Sequence, residues 1–217
     1  MFADRREAGR KLAQSLPEFE RESTIVMALP RGGLPVAEEV ALALNLPLDI
    51  VLVRKVGAPG YPELAVGAVT DGDDMRLTIN KDVAGSMGLD EGQVRDLARK
   101  VLPELERRKK LYLGNRASLP VKGKTVIVVD DGVATGATLR AALDVLRQRG
   151  VERLVVALPV APVEIMGELR KLADEVVCLQ TPSPFLAVGA HYGIFDQVSD
   201  EEVIRILKQM DARTGQF

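Results

Sequence analysis

The sequence predicts an open, mainly parallel α/β sheet with helices on both faces. Short apolar runs recur at residues 24–29, 48–53, 126–129, 154–158 and 176–180, and they read as strands buried on both faces rather than as alternating half-exposed ones. Several of them lead through glycine- or proline-bearing turns into segments of helical spacing, the pattern of βαβ units. The chain has 217 residues, 47% of them hydrophobic, which is enough to bury a full core and is expected to form one domain over residues 1–217.

The elements follow in order. Residues 4–16 read as an N-terminal helix, and residues 24–29 (T-I-V-M-A-L) as the first strand. That strand ends in Pro30-Arg31-Gly32-Gly33, and a helix over about 35–44 carries Pro35 early in its first turn. Two glycines permit a backbone that aims N–H groups inward, and Arg31 offers a planar fork to phosphate. The next strand, 48–53, delivers Arg54 and Lys55 at its end. Such a pair is either solvated flanking charge or an anion ligand, with Lys55 the favoured ligand. Residues 57–63, rich in Gly and Pro, read as a mobile loop.

An insertion over about 69–121 opens with an expected hairpin, 64–70 turning at Asp71-Gly72-Asp73 into 75–79. A helix over about 90–110 places Val94, Leu97, Val101 and Leu105 on one face, and Pro103 inside it is expected to kink or split it. Its basic end, Arg107-Arg108-Lys109-Lys110, reads as a solvated face favoured by the helix dipole. The alternative is that this cluster, or Arg116 beyond it, reaches a bound anion.

The run V-I-V-V-D-D-G-V-A-T-G-A-T over 126–138 carries the most chemistry. A buried strand delivers Asp130 and Asp131, and Gly132, Val133, Ala134, Thr135, Gly136, Ala137 and Thr138 then lead into a helix that stops at Gly150. A strand, a glycine-rich turn and a helix N-terminus cradle phosphate with backbone N–H groups, and Thr135 and Thr138 add hydroxyl donors. There is no G-x-G-x-x-G and no P-loop lysine. The carboxylates would repel a phosphate, so they serve another part of the same ligand, such as ribose hydroxyls or a magnesium ion. Turn and cap roles would explain one Asp and one Gly, not the ordered whole.

A third βα repeat follows, with a strand at 154–158, a helix ending near 172 and a last core strand at 176–180. Residues 181–195 are irregular and contain Phe185, Tyr192 and Phe195, three of the eight Phe and Tyr residues. Such a cluster is either a satellite core or a flat surface for a planar base. Ser199-Asp200-Glu201-Glu202 starts the final helix with a capping box.

The 126–138 run resembles the phosphoribosyl-pyrophosphate signature of the type I phosphoribosyltransferases, and D-R-R-E-A-G-R-K-L-A near the N-terminus resembles bacterial members of that family. The resemblance implies the type I architecture with a C-terminal hood over about 181–198. It implies that Asp130 and Asp131 bind the 2- and 3-hydroxyls of the ribose and help hold Mg²⁺, while Gly132 to Thr138 hold the 5-phosphate. Arg31, Gly32, Gly33 and Lys55 are implied to hold the pyrophosphate, with Lys55 counted beside the acid pair among the catalytic residues. The implied partners are phosphoribosyl pyrophosphate and a nitrogenous base, the implied activity is pentosyl transfer in nucleotide salvage, and a homodimer is left open. Family members that act on 6-oxopurines carry an aspartate where this chain has Ala134, so the resemblance points toward adenine-type acceptors.

Composition narrows the alternatives. A net charge of −2 gives no electrostatic footprint for nucleic acid. No apolar stretch reaches membrane-spanning length, and Asp4, Arg5 and Arg6 disfavour a signal peptide, so a cytoplasmic setting is expected. Cys178, the single cysteine, reads as a reduced and buried thiol, and with His191 the only histidine there is no material for a catalytic triad or a His/Cys metal cluster. The rival function is a non-catalytic regulator that binds the sugar diphosphate as a signal. Against it stand the absence of a helix-turn-helix segment and of a basic balance. An amidotransferase or competence-type relative would need a glutaminase cysteine or a Cys-rich zinc segment, and neither is present.

Overall fold

The computed structural model describes residues 1–70, 76–114 and 116–214. From the N-terminus, α1 (Arg5–Gln14) leads into β1 (Thr24–Ala28), α2 (Gly33–Leu44) and β2 (Leu48–Ile50). An antiparallel trio follows, β3 (Val53–Ala58), β4 (Tyr61–Thr70) and β5 (Arg76–Ile79), and then α3 (Lys81–Ser86) and α4 (Glu91–Leu113). The second half alternates strand and helix: β6 (Thr125–Val129), α5 (Ala137–Gln148), β7 (Arg153–Val160), α6 (Val163–Leu172), β8 (Glu175–Gln180) and α7 (Asp200–Thr214).

Five strands form one parallel sheet in the order β2-β1-β6-β7-β8. Alternate residues feed two cores. Val26, Ala28, Ile127, Val129, Val155 and Ala157 face the layer of α1, α2, α4 and α7. Ile25, Met27, Val126, Val128, Leu154, Val156 and Leu158 face α5 and α6. Both faces are therefore covered, which is why these strands read as unbroken apolar runs. From β1 the chain moves outward to β2, and from β6 it moves the opposite way to β7 and β8. β1 and β6 are neighbours, paired from Thr24↔Thr125 to Ala28↔Val129. Their carboxyl ends thus flank the crevice where strand order reverses, the usual ligand position in open α/β sheets.

Several expectations need correction. The run at 48–53 is two elements: β2 ends at Ile50, and Val53 already belongs to the antiparallel sheet. The run is apolar throughout because Val51 and Leu52, between the two strands, are also buried. Residues 57–63 are no loop. They belong to the β3–β4 hairpin, where Gly57 sits at a register shift and Gly60 has φ 77° in the turn. Here Gly and Pro mark a bulge and a tight turn rather than mobility. The β4–β5 hairpin forms as expected, but its turn at 71–73 lies outside the described residues. Pro103 does not split α4, which runs 23 residues; a capping box between Asp90 and Gln93 fixes its start, and Val94, Ala98 and Leu105 bury its face. α3 had no signal beyond Asn80, whose side chain caps it at Val83 N. Cys178 is a free thiol on the edge strand β8 and is half-buried, not buried, with burial pushing the thiol upward in pKa.

Arg116 is also reassigned. Its guanidinium donates to Asp49 Oδ1 at 2.5 Å, to Asp211 Oδ2 at 2.7 Å and to the Leu48 carbonyl at 3.0 Å. It clamps β2 to α7, with its donors committed to two carboxylates and a carbonyl. Asp49 is fully buried, so removing its partner strands a charge in the core. Arg116→Met is expected to cost roughly 3–5 kcal/mol of stability. Denaturant titration of the variant checks this; a loss within experimental error would mean that the clamp is dispensable.

Candidate functional site

Two loops meet at the crevice. The loop after β1 carries Pro30, Arg31, Gly32 and Gly33, with a cis peptide between Pro30 and Arg31. The loop after β6 carries Asp130 and Asp131 and then residues 132–136, up to Gly136 as the N-cap of α5. A Cβ on Gly32 would lie 2.1 Å from Asp131 Oδ2, so the first loop rests directly on the acid of the second. Gly132 has φ 153°, and a Cβ there would lie 2.6 Å from Val188 Cγ1. Only glycine lets the second loop pass under the irregular segment after β8. Asp130 and residues 132–139 line a cleft of about 150 Å³ at the start of α5, with Ala134, Thr135 and Thr138 exposed.

The acid pair is half-buried and held from within the protein. Asp130 Oδ1 accepts from Asp131 N at 2.9 Å. Asp131 Oδ2 accepts from Arg5 Nε at 2.7 Å, a contact that brings α1 to the site. No side chain among the described residues bonds the other two oxygens, Asp130 Oδ2 and Asp131 Oδ1. Burial, then the neighbouring Asp131 charge, hold the Asp130 carboxyl well above the usual carboxylate range. Burial also raises Asp131, against the opposing pull of Arg5. Tyr192 Oη donates to the Asp131 carbonyl, and burial keeps that phenol protonated.

A larger cleft of about 580 Å³ opens beside Pro30 and Thr138, between β3 and α4. Arg54, Lys55, Lys100 and Arg108 line it, four cations from two elements. Lys55 therefore reaches the crevice from within β3, not from the end of β2. Arg108 is partly engaged by Glu104 at 2.8 Å, while Arg107 bonds the same carboxylate and lines no part of the cleft. These two arginines hold the half-buried Glu104 carboxyl down at about 2. Arg31 lies 3.4 Å from Asp200 Oδ1 at the start of α7, and Asp200 also accepts from Tyr112 Oη at 2.5 Å. Burial and that carboxylate push the Tyr112 phenol up to about 12.

The aromatic segment is packed jointly with the N-terminal residues. Phe2 N donates to the His191 carbonyl at 2.7 Å, Gly193 N to the Phe2 carbonyl at 2.7 Å, and Ile194 N to the Ala3 carbonyl at 2.8 Å. Ring centroids of Phe2 and Tyr192 lie 5.4 Å apart, those of Tyr192 and Phe195 4.9 Å apart, and Phe185 stacks on His191 at 5.6 Å. Phe2, Ala8, Val160 and Tyr192 form a buried satellite core, with Leu186 left 82% exposed beside it. The satellite-core reading thus holds, and the same segment borders the acid pair through Tyr192.

The structure brings the 30–33 loop against Asp131 beside the 132–138 loop, and Lys55 lines the adjoining larger cleft, which shares Thr138 with the smaller one. The Arg31 side chain pairs with Asp200 and lines neither cleft. Sequence reasoning gave Tyr192 only as part of the aromatic cluster and Asp200 only as part of a helix cap, and it missed Arg5, Lys100 and Tyr112 at this site. Lys100 follows from helical spacing with Leu97 and Arg108; the others carry no local signal. Among the described residues no group of three or more His, Cys, Asp or Glu is placed to hold a metal ion by itself. Nor, among those residues, is any helix long and apolar enough to cross a membrane.

Comparison with known proteins agrees with this geometry. The family model of the phosphoribosyl transferase domain matches residues 3–192. A Mycobacterium tuberculosis protein (strain H37Rv), provisionally named a phosphoribosyl transferase, is 45% identical over 207 residues, covering 95% of this chain and 46% of that protein. The chain thus spans about half the length of the curated relatives it matches. A ribose-phosphate pyrophosphokinase of Pyrococcus furiosus is 37% identical over 70 residues, 31% of this chain and 25% of that one. The crystal structure of TT1426 from Thermus thermophilus has a TM-score of 0.87 and 44% identity, covering 96% of this chain and 98% of its own.

The raised Asp130 carboxyl has a consequence for stability. The folded state binds its proton more tightly than the unfolded chain, so stability falls as pH rises from the ordinary aspartate range through the raised folded value. Asp130→Asn keeps an oxygen for Asp131 N and removes the charge. It is expected to raise the melting temperature at pH 7, a gain that fades toward about pH 4. A variant that melts below the wild type at pH 7 would show that the buried charge costs nothing.

Proposed function

Because the chain belongs to the phosphoribosyl transferase domain family, we propose that it moves the phosphoribosyl group of phosphoribosyl pyrophosphate to a ring nitrogen of a nitrogenous base, releasing pyrophosphate. The observation that carries this reading is the contact of Gly32 with Asp131. One ligand spanning the crevice must offer anionic oxygens to the first loop, a diol to the acid pair and a second phosphate to the start of α5. A ribose bearing a diphosphate and a 5-phosphate does so.

Each acid has one oxygen fixed by the protein and one open, which suits two adjacent hydroxyls. Backbone N–H groups of residues 134–138 and the hydroxyls of Thr135 and Thr138 take the 5-phosphate at the positive end of α5, whereas Val133 N–H is spent on the Val160 carbonyl at 3.1 Å. Arg31, the Gly32 backbone, Lys55, Lys100 and Arg108 take the departing pyrophosphate, whereas Gly33 N–H is spent on the Leu29 carbonyl at 3.1 Å. Displacement at carbon 1 passes through a cation-like ribosyl group, so holding the leaving anion and excluding water are the protein's main tasks. No protein nucleophile is required.

Mg²⁺ fits this donor set. Two carboxylates with one open oxygen apiece cannot complete its shell, so the ligand's own oxygens would, which is the usual arrangement for this ion. When bound it supplies charge neutralisation on the diphosphate. The segment around Phe185 and Phe195 is the proposed wall for the base. Ala134 offers no carboxylate to a 6-oxopurine, which favours an adenine-type acceptor and a place in salvage of preformed bases. The free Cys178 suits the reducing cytoplasm.

Two measurements test the reading. Calorimetry with phosphoribosyl pyrophosphate and Mg²⁺ is expected to show binding, and a screen of bases is expected to show pyrophosphate release with adenine ahead of hypoxanthine. Binding without release for any base would assign the chain to the regulators instead. Gly32→Ala forces a Cβ into Asp131 and is expected to reduce transfer efficiency by roughly a hundredfold. Wild-type efficiency in that variant would separate the two loops functionally.

A further inference from the structure

Arg5 stands where helix physics disfavours it. It is the first residue of α1, and a cation at a helix N-terminus opposes the dipole. Its place is explained by tertiary contacts. Nε donates to Asp131 Oδ2 at 2.7 Å, Nη1 donates to the Asp196 carbonyl at 2.7 Å, and the guanidinium lies 3.8 Å from the centroid of the Phe195 ring. The Arg5 and Asp131 side chains are 11% and 13% exposed, so the pair is little screened by water. The backbone beneath Arg5 is fixed as well. Gly9 lets α1 press on α2, since a Cβ there would lie 2.5 Å from the Val36 carbonyl, and Arg6 pairs with Glu38 at 2.7 Å.

These contacts constrain Asp131. Its Oδ2 is caught between Arg5 and the Gly32 backbone, so Oδ1 is the oxygen left for a ligand. We propose that Arg5 is a positioning residue of the sugar site: it fixes the Asp131 carboxylate so that Oδ1 meets a ribose hydroxyl, and through Phe195 and Asp196 it ties that orientation to the wall of the base pocket. This rests on the phosphoribosyl-pyrophosphate reading of the crevice. Arg5 acts through Asp131 and need not touch the substrate. Its planar fork makes the bonds to Asp131 and Asp196 together while stacking on the ring, an arrangement that a lysine cannot reproduce.

The test compares Arg5→Ala and Arg5→Lys with wild type, using phosphoribosyl pyrophosphate with Mg²⁺ and pyrophosphate alone as probes. Pyrophosphate has no ribose and does not call on Asp131. Arg5→Ala is expected to weaken sugar-diphosphate binding by on the order of tenfold while leaving pyrophosphate inhibition within about twofold, with partial recovery in Arg5→Lys. In wild type, the Arg5 Nε–H is expected to give a slowly exchanging ¹⁵N–¹H signal that is lost in Asp131→Asn. A folded Arg5→Ala protein with wild-type sugar-diphosphate affinity would overturn the inference. Parallel loss of both affinities would overturn it too, by making Arg5 a plain structural staple. If wild type binds neither probe, the functional reading of the crevice fails, and the Arg5 inference falls with it.

Discussion

The site depends on one steric constraint: no side chain can stand between the loop after β1 and the acid that ends β6. Gly32 lies so close to Asp131 that a single methyl group would displace the carboxylate. Parallel pairing of β1 with β6 brings the two loops to the same edge, and the reversal of strand order there leaves a crevice rather than another strand. The buried carboxylates, the cations of β3 and α4 and the N-terminus of α5 are all placed relative to that contact. The fold is the frame, and the missing Cβ sets the distance.

Charge placement around the crevice divides into two kinds. Some cations are consumed by the fold: Arg116 holds β2 to α7, and Arg107 is taken by Glu104. Lys55, Lys100 and Arg108 line the larger cleft, and Arg108 also pairs with Glu104 there. The acids divide similarly, with Asp49 wholly structural and Asp130 holding back one oxygen. A buried carboxylate with an uncommitted oxygen is costly to keep, which is why it marks function better than an exposed one.

The parallel sheet was legible in the sequence because burial on both faces writes itself as continuous apolar runs. The loop over 130–138 was legible because strand, acids, glycines and helix start are contiguous. What stayed hidden depends on distance along the chain. Arg5 meets Asp131 across 126 positions, Tyr192 meets it across 61, and Arg31 meets Asp200 across 169. No periodicity or motif records such pairings. Gly57, Pro59 and Gly60 misled for a different reason: the same residues that loosen a loop also make a bulge and a tight hairpin turn. Arg116 misled because sequence displays a charge but not its partner.

The joining of Phe2 and Ala3 to residues 191–194 carries a consequence for biogenesis. Arg5, the counter-ion of Asp131, leaves the ribosome ahead of every strand of the main sheet, and the proposed aromatic wall it stacks on follows all of them. The main sheet needs nothing beyond Gln180 to pair its strands, so it is able to assemble while the wall is still being made. The crevice is finished only when the late segment returns to the early one, the kind of long-range closure that comes slowly. A nascent chain is thus able to form its sheet while the crevice beside Asp131 is still open to water.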